Sequence, residues 1–333
     1  VSRILERVLN LGLVYAVSVY GRLDIMALMG ILGVNGLIQF VILFFLTKKY
    51  LNFLFEPSLV KVTALLKGGL PFFLSNIFML IYLRTDVALL GWLSSDKNVG
   101  IYSAANQIYQ MGIFSMILIN VVIFPPLMVL YQRGTREFVA AVDDLVRFVI
   151  AYAMGLSMGL FVLADKIIRF IFHGQLLESI WVLKGYAVIL FFSLWMPLFQ
   201  TLLIANNRQR LWSEIMGLTV LFNGFANYIL IWVFSYFGAI YATGASSGFC
   251  WILSIFLLKK YMSIKIQLLS VVKSLVAGMV MFSVLYCLRD GSLFLLTCVG
   301  ILVYGMGLIG LQYFSRDDYD FFKGLIFRKM SSQ

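Results

Sequence analysis

Arg84 and Asp86 stand inside an apolar run, KGGLPFFLSNIFMLIYLRTDVALLGW over 67–92, where a bilayer would surround them with lipid tails. A charged side chain at such depth costs about 2.5–3.5 kcal/mol on insertion scales, so it must face protein, water or a partner. Two residues apart on a helix, the two side chains project about 200° apart and cannot pair with each other. At 1.5 Å per residue from Leu70, they lie roughly 21 and 24 Å into a core of about 30 Å, in its far half. Two readings stay open. In one, Arg84 snorkels outward and Asp86 caps or pairs near the boundary. In the other, they belong to a polar patch on a water-filled central cavity.

Further polar residues fall in apolar stretches: Ser75 and Asn76 in the same run, then Asn106, Gln107, Gln110 and Asn120, then Gln200, Asn223 and Asn227. Asn106 and Gln110 share one helix face, as do Asn223 and Asn227. Such amides glue membrane helices together for about 1 kcal/mol or less each. Asn223 and Asn227 are read as glue. Asn106 and Gln110 follow the Arg84–Asp86 stretch closely enough to line the same cavity, and for them both readings remain.

The elements that position these residues follow from composition. Of 333 residues 62% are hydrophobic and 12% charged, against about 25% charged in soluble domains. The chain is therefore read as an all-α integral membrane protein, since lipid leaves no partner for an unpaired backbone and no barrel-type alternation appears. With about 20 apolar residues per span, ten spans emerge: 4–20, 23–46, 68–92, 101–130, 145–164, 181–204, 212–235, 239–258, 268–288 and 292–311. Pro71 falls in the first turn of the third, where proline is tolerated. Pro125–Pro126 and Pro197 should kink the fourth and sixth. Gly30, Gly33 and Gly36 suit close helix contact.

The net charge of +11 suggests nucleic acid until the basic residues are located. They lie between spans, as beside anionic headgroups, and no nucleic-acid partner is expected. One set of alternating loops holds nineteen Lys and Arg and the other six. The positive-inside rule makes the richer side cytoplasmic, with both ends of the chain there. After Leu311, aromatic and basic residues alternate as in a short interfacial helix. Cys250, Cys287 and Cys298 all lie in apolar spans, so no disulfide framework is expected. His173 sits in a loop with no nucleophile or carboxylate set nearby, and no P-loop, H-E-x-x-H or G-x-S-x-G motif occurs. Neither an enzyme nor a cofactor or metal site is expected.

Several stretches resemble a known family. GGLPFFLSN at 68–76 with Asp86 is similar to the opening of the seventh helix of the polysaccharide flippases (Wzx-type O-antigen and teichoic-type exporters). These belong to the multidrug/oligosaccharidyl-lipid/polysaccharide exporter superfamily. VGIYSAANQIYQ at 99–110 resembles the start of their eighth. FPPLMVLYQRG at 124–134, FIFHG at 170–174, LIANNRQR at 203–210 and YFGAIYATGAS at 236–246 follow in the family's order. His173 before its glycine and Asn206–Asn207, where a glycine is common, depart from the pattern.

The resemblance implies a fourteen-helix, two-lobed exporter of which ten spans are present, helices five to fourteen. The sequence begins at Val1, so about four upstream helices are expected to be missing. It divides the chain into the last two helices of an incomplete first lobe (1–46), a cytoplasmic linker (47–67), a six-helix second lobe (68–260), an extra pair (261–311) and an interfacial tail (312–333). It implies translocation of a polyprenyl-pyrophosphate-linked oligosaccharide to the outer leaflet of a bacterial inner membrane. The partners implied are membrane lipids, a coupling cation (Na+ or H+), and the polymerase and chain-length proteins of polysaccharide assembly. Arg84 would hold pyrophosphate or an acidic sugar. Asn76, Asn106, Gln107 and Gln110 would meet the substrate, and Asp86 would bind the cation or fix a neighbour. A drug antiporter of the same superfamily, a peptidoglycan-precursor flippase and an inactive fragment are the alternatives.

Overall fold

The computed structural model describes residues 25–50, 58–133, 135–262 and 267–314. The expected first span (4–20) and the interfacial tail lie outside them. Ten helices follow in order: α1 (Ile25–Tyr50), α2 (Leu59–Leu93), α3 (Asp96–Arg133), α4 (Thr135–Ile171), α5 (Ser179–Ser193), α6 (Met196–Ala205), α7 (Gln209–Phe234), α8 (Tyr236–Met262), α9 (Leu268–Cys287) and α10 (Leu293–Gly310). Among the described residues eight segments are long and apolar enough to cross a membrane, with α5 and α6 together making one of them. The chain is a multi-pass, all-helical membrane protein.

The expected spans reappear, with one correction at the start of α2 and with the two proline sites behaving differently. α2 begins at Leu59, so part of the 47–67 linker is helical and Pro71 lies well inside the helix, not in its first turn. The segment VKVTALL offers nothing to stop a helix, and a helix need not end where the hydrocarbon does. α3 runs through Pro125–Pro126 to Arg133 as one element. The sixth span, by contrast, is interrupted at Leu194–Trp195. Pro197 explains the break: it has no N–H to offer the Ser193 carbonyl four residues back, and its ring would press on that carbonyl. Ser193 is the last residue of α5, and Pro197 sits in the first turn of α6, a position it suits.

The chain divides into two compact units, residues 1–66 and 67–333. In the first, no described atom comes within 4 Å of a Cβ built on Gly30, Gly33 or Gly36.

In the second unit α5–α6 is the central rod, with 72% of its span buried. α3, α4 and α8 surround α5, and α7 pairs with α8. α4 supplies Phe138, Ala141, Val142, Leu145, Val146, Val149, Ile150 and Ala153 to the core, the three-and-four spacing of one helix face. α9 and α10 pack together on the far side of α4. There the Tyr304 hydroxyl donates to the Ala151 carbonyl at 2.7 Å, and its ring occupies the space a Cβ on Gly155 would take. Gly155→Leu is expected to cost about 1–3 kcal/mol by overpacking and to expose the α9–α10 seam to limited proteolysis in detergent. Protection equal to the parent would contradict the seam.

One end of this unit is tied by polar contacts. Lys97 donates to Glu178 at 2.8 Å and holds its carboxyl below the usual carboxylate range. Ser94 and Asn98 bond Ser235 at 2.8 and 3.0 Å. At the opposite, basic end the Arg208 guanidinium lies 3.8 Å from the Tyr261 ring centre.

Candidate functional site

α2 is the least buried of the eight spans, with only 6% of its window enclosed. Its fully buried positions form a narrow stripe, Ser75, Tyr82, Asp86 and Leu90, spaced by roughly one or two turns. The helix that carries the chain's intramembrane carboxylate therefore meets the lobe through a few polar side chains set among half-buried apolar ones, Phe78, Met79, Leu83, Val87, Leu89 and Leu93. In a bilayer apolar faces gain little by leaving lipid, so the polar contacts carry much of the association.

Asp86 is 6% exposed and accepts three hydrogen bonds from three other helices. Its Oδ1 accepts from Asn227 Nδ2 of α7 at 2.6 Å. Its Oδ2 accepts from the Tyr102 hydroxyl of α3 at 2.8 Å and from Thr243 Oγ1 of α8 at 2.6 Å. Thr243 also lies 2.9 Å from the Ala239 carbonyl. It has one hydrogen to give, and an ionised carboxylate is the stronger acceptor. Asn223, one turn before Asn227, donates to Ser246 at 3.2 Å. The amide oxygens of Asn223 and Asn227 are buried and unpartnered. A carboxylate with neutral hydroxyls and two amide oxygens about it suits a proton or a hard monovalent cation. Among the described residues no three of His, Cys, Asp and Glu come together.

The six candidate residues separate into two groups. Asp86 and Asn106 are buried, and Gln110 is half-buried, donating to Asn106 Oδ1 at 3.1 Å. Asn76, Arg84 and Gln107 are exposed on the surface of α2 and α3. The Asn76 amide donates to the Phe72 carbonyl at 2.8 Å, within its own helix. Arg84 and Asp86 are not partners, as their angular separation requires.

Asn223 and Asn227, read from the sequence as glue, belong with Asp86. Tyr102 and Thr243 were not singled out at all. The signal available for the amides was their four-residue spacing. Thr243 had a similar one, lying four residues before Ser247 on a face of α8 that is otherwise alanine, serine and cysteine.

Residues 1–130 match the model of a family described as "Polysaccharide biosynthesis protein". The quoted motifs at 68–76 and 99–110 fall inside that match, the one at 124–134 straddles its end, and the later ones lie beyond it. No curated protein matches the chain. A solved structure described as "Lipid II flippase MurJ, inward closed conformation" superposes with a TM-score of 0.72 at 15% identity, over 98% of this chain and 66% of that one. This chain thus spans about two-thirds of the length of that protein, whose fold it shares. Two separate findings thus stand side by side, a polysaccharide biosynthesis match over the first 130 residues and the fold of that solved structure over nearly the whole chain.

Proposed function

We propose that the protein to which this chain belongs carries a polyprenyl-diphosphate-linked saccharide from the inner to the outer leaflet of a bacterial inner membrane. It would act as a carrier rather than an enzyme. The observation that carries the reading is the exposed Arg84 on a membrane-length helix, with Asn76 on the same helix and Gln107 on the next. A guanidinium held on such a helix needs an anionic or hydrated partner, and it matches diphosphate oxygens two at a time. Asn76 and Gln107 would meet sugar hydroxyls, while Asn106 and Gln110 serve to pack α3. Asp86 would take the coupling cation, Na+ or H+, and its three bonds to α3, α7 and α8 would link that event to the position of α2. The basic loops and both chain ends would be cytoplasmic, with residues 68–260 a six-helix lobe and 261–311 its extra pair.

Two substrates fit equally, an O-antigen-type or capsule-type repeat unit and the peptidoglycan precursor. They share the lipid diphosphate and differ in the sugar. The test is flipping of fluorescent polyprenyl-diphosphate saccharides by the whole protein in proteoliposomes, with each sugar offered in turn. Arg84→Ala is expected to slow flipping about ten- to a hundredfold, the equivalent of one charge-assisted contact. Arg84→Lys should retain part of the rate. An unaltered rate in Arg84→Ala would remove the diphosphate role.

A further inference from the structure

Nine of the fifteen residues of α5 are buried. The other six, Trp181, Lys184, Gly185, Val188, Phe191 and Phe192, follow the three-and-four spacing of a single helix face. α4 and α8 both pack on α5 and flank this stripe, which makes it the floor of a trough. On the α4 side the Lys184 Nζ lies 5.7 Å from the Phe161 ring centre. On the α8 side a Cβ on Gly185 would meet the Ile240 side chain, and one on Gly244 would touch Ile189. One turn farther along α8, Gly248 has no described neighbour within 4 Å of its Cβ position, so space opens beside it. The Trp251 ring closes the trough, edge-on to Phe192 at 5.7 Å.

From Trp181 to Phe192 the trough runs roughly 16 Å, close to half of a hydrocarbon core of about 30 Å. It therefore spans one leaflet, the one at the Lys97–Glu178 end, where α5 begins. Lys184 stands about 8 Å along the helix from that end. Its Nζ also lies 4.6 Å from the Trp181 ring centre, so two aromatic faces hold the ammonium. No carboxylate pairs with it among the described residues. Ring faces replace only part of what water or an anion gives a cation, and a charge at the edge of a bilayer seeks a polar partner. Trp181 is exposed and brings an indole N–H as a second donor.

We infer that this trough holds one anionic phospholipid of that leaflet. Lys184 and the Trp181 N–H take its phosphate, and one acyl chain lies over Val188, Phe191 and Phe192 and ends against Trp251. Length decides between the two lipids that could offer both a phosphate and a tail. A phospholipid chain stops near the bilayer midplane, as the trough does, whereas a polyprenyl chain is far longer and would run into Trp251. Charge decides between phospholipids, since a zwitterionic headgroup brings its own cation toward Lys184 and an anionic one does not. The bound lipid ties α4 to α8 across α5. Neither Arg84 nor Asp86 takes part, so the site stands or falls apart from the transport reading.

The test is native mass spectrometry of the whole protein released from phosphatidylcholine nanodiscs that contain phosphatidylglycerol, reading the first tightly held lipid. The parent is expected to prefer phosphatidylglycerol about tenfold, the equivalent of one charge-assisted contact at a half-buried site. Lys184→Gln should abolish the preference and Lys184→Arg should keep it. Val188→Trp fills the trough from its floor and should lower retention of both lipids. Lys97→Gln removes a cation at the same end but outside the trough, and should leave the preference unchanged. An undiminished preference in Lys184→Gln, or an equal loss in Lys97→Gln, would overturn the site. Polyprenyl diphosphate offered in competition should leave the bound phosphatidylglycerol in place. If it displaces that lipid at equal concentration, the trough belongs to the transported lipid and the phospholipid assignment falls.

Discussion

Asp86→Ala is expected to lower the apparent melting temperature of the detergent-solubilised protein by on the order of 10 °C. The substitution deletes an acceptor shared by Tyr102, Asn227 and Thr243 at the join of four helices; Thr243 and Asn227 keep the Ala239 and Asn223 carbonyls, and the Tyr102 hydroxyl is left without a partner. An abandoned buried donor costs about 1–3 kcal/mol. With the lost contacts of the other two helices added, and the sites too close to sum independently, a loss of about 2–3 kcal/mol is expected. Asp86→Asn should behave differently. It keeps the shape and one acceptor, and the Tyr102 and Thr243 hydroxyls can rotate to receive its amide, so a loss of about 1 kcal/mol is expected. The pair of variants separates structure from coupling. If Asp86→Asn melts near the parent yet flips lipid about tenfold more slowly, the charge has a role beyond holding α2. If it flips normally, the carboxylate is a clasp and nothing more. A double-mutant cycle with Asn227→Ala should give a coupling of about 1.5–3 kcal/mol, the range for a hydrogen bond to a charged group. Coupling near zero would mean that the 2.6 Å contact has no energetic weight.

The helices were legible because their signal is additive. Twenty apolar residues are required whatever packs against them, so spans such as 268–288 and 292–311 match α9 and α10 within a residue. Pro197 was legible as an interruption, since its effect on the carbonyl four residues back is local. The beginning of α2 was not, because hydropathy marks where the hydrocarbon starts and not where hydrogen bonding does. The site was half legible. Asp86 stood out because its cost in lipid is intrinsic to the residue. Its partners did not, because tyrosine, threonine and asparagine are unremarkable in any one helix and acquire a role only through a neighbour 16, 141 or 157 positions away. The two members of the Arg84–Asp86 pair show the same division. The sequence fixes that they diverge, whereas which of them turns inward depends on Tyr82 and Leu90 sharing a face with Asp86. It is Arg84 that remains outside.

Gly238 is expected to tolerate no side chain, and the consequence should reach Asp86. α7 ends at Phe234 and α8 begins at Tyr236, so the chain reverses within one residue, Ser235, whose φ of 54° is left-handed. In this hairpin a Cβ on Gly238 would fall on the carbonyl of Leu230 and the amide nitrogen of Ile231. Those are backbone atoms of an intact helix turn and cannot rotate away as a side-chain tip would. Gly238→Ala is therefore expected to cost about 1–3 kcal/mol, and Gly238→Val more, because α8 must tilt or slide from α7. Gly224→Ala on α7 and Gly248→Ala on α8 are the controls. Neither glycine has a described neighbour within 4 Å of its Cβ position, so alanine there should be neutral or stabilising by up to about 1 kcal/mol. Gly238 lies five residues, more than one turn, before Thr243, and α8 also carries Ser247. A displaced α8 would withdraw Thr243 from Asp86 and Ser247 from Tyr82, bonds of 2.6 and 2.9 Å. Combining Gly238→Ala with Asp86→Ala should then cost less than the sum of the two, since part of the cluster is already lost. Strict additivity would show that the hairpin and the carboxylate are independent. A parent-like melting curve for Gly238→Ala would show that the helices do not approach this closely.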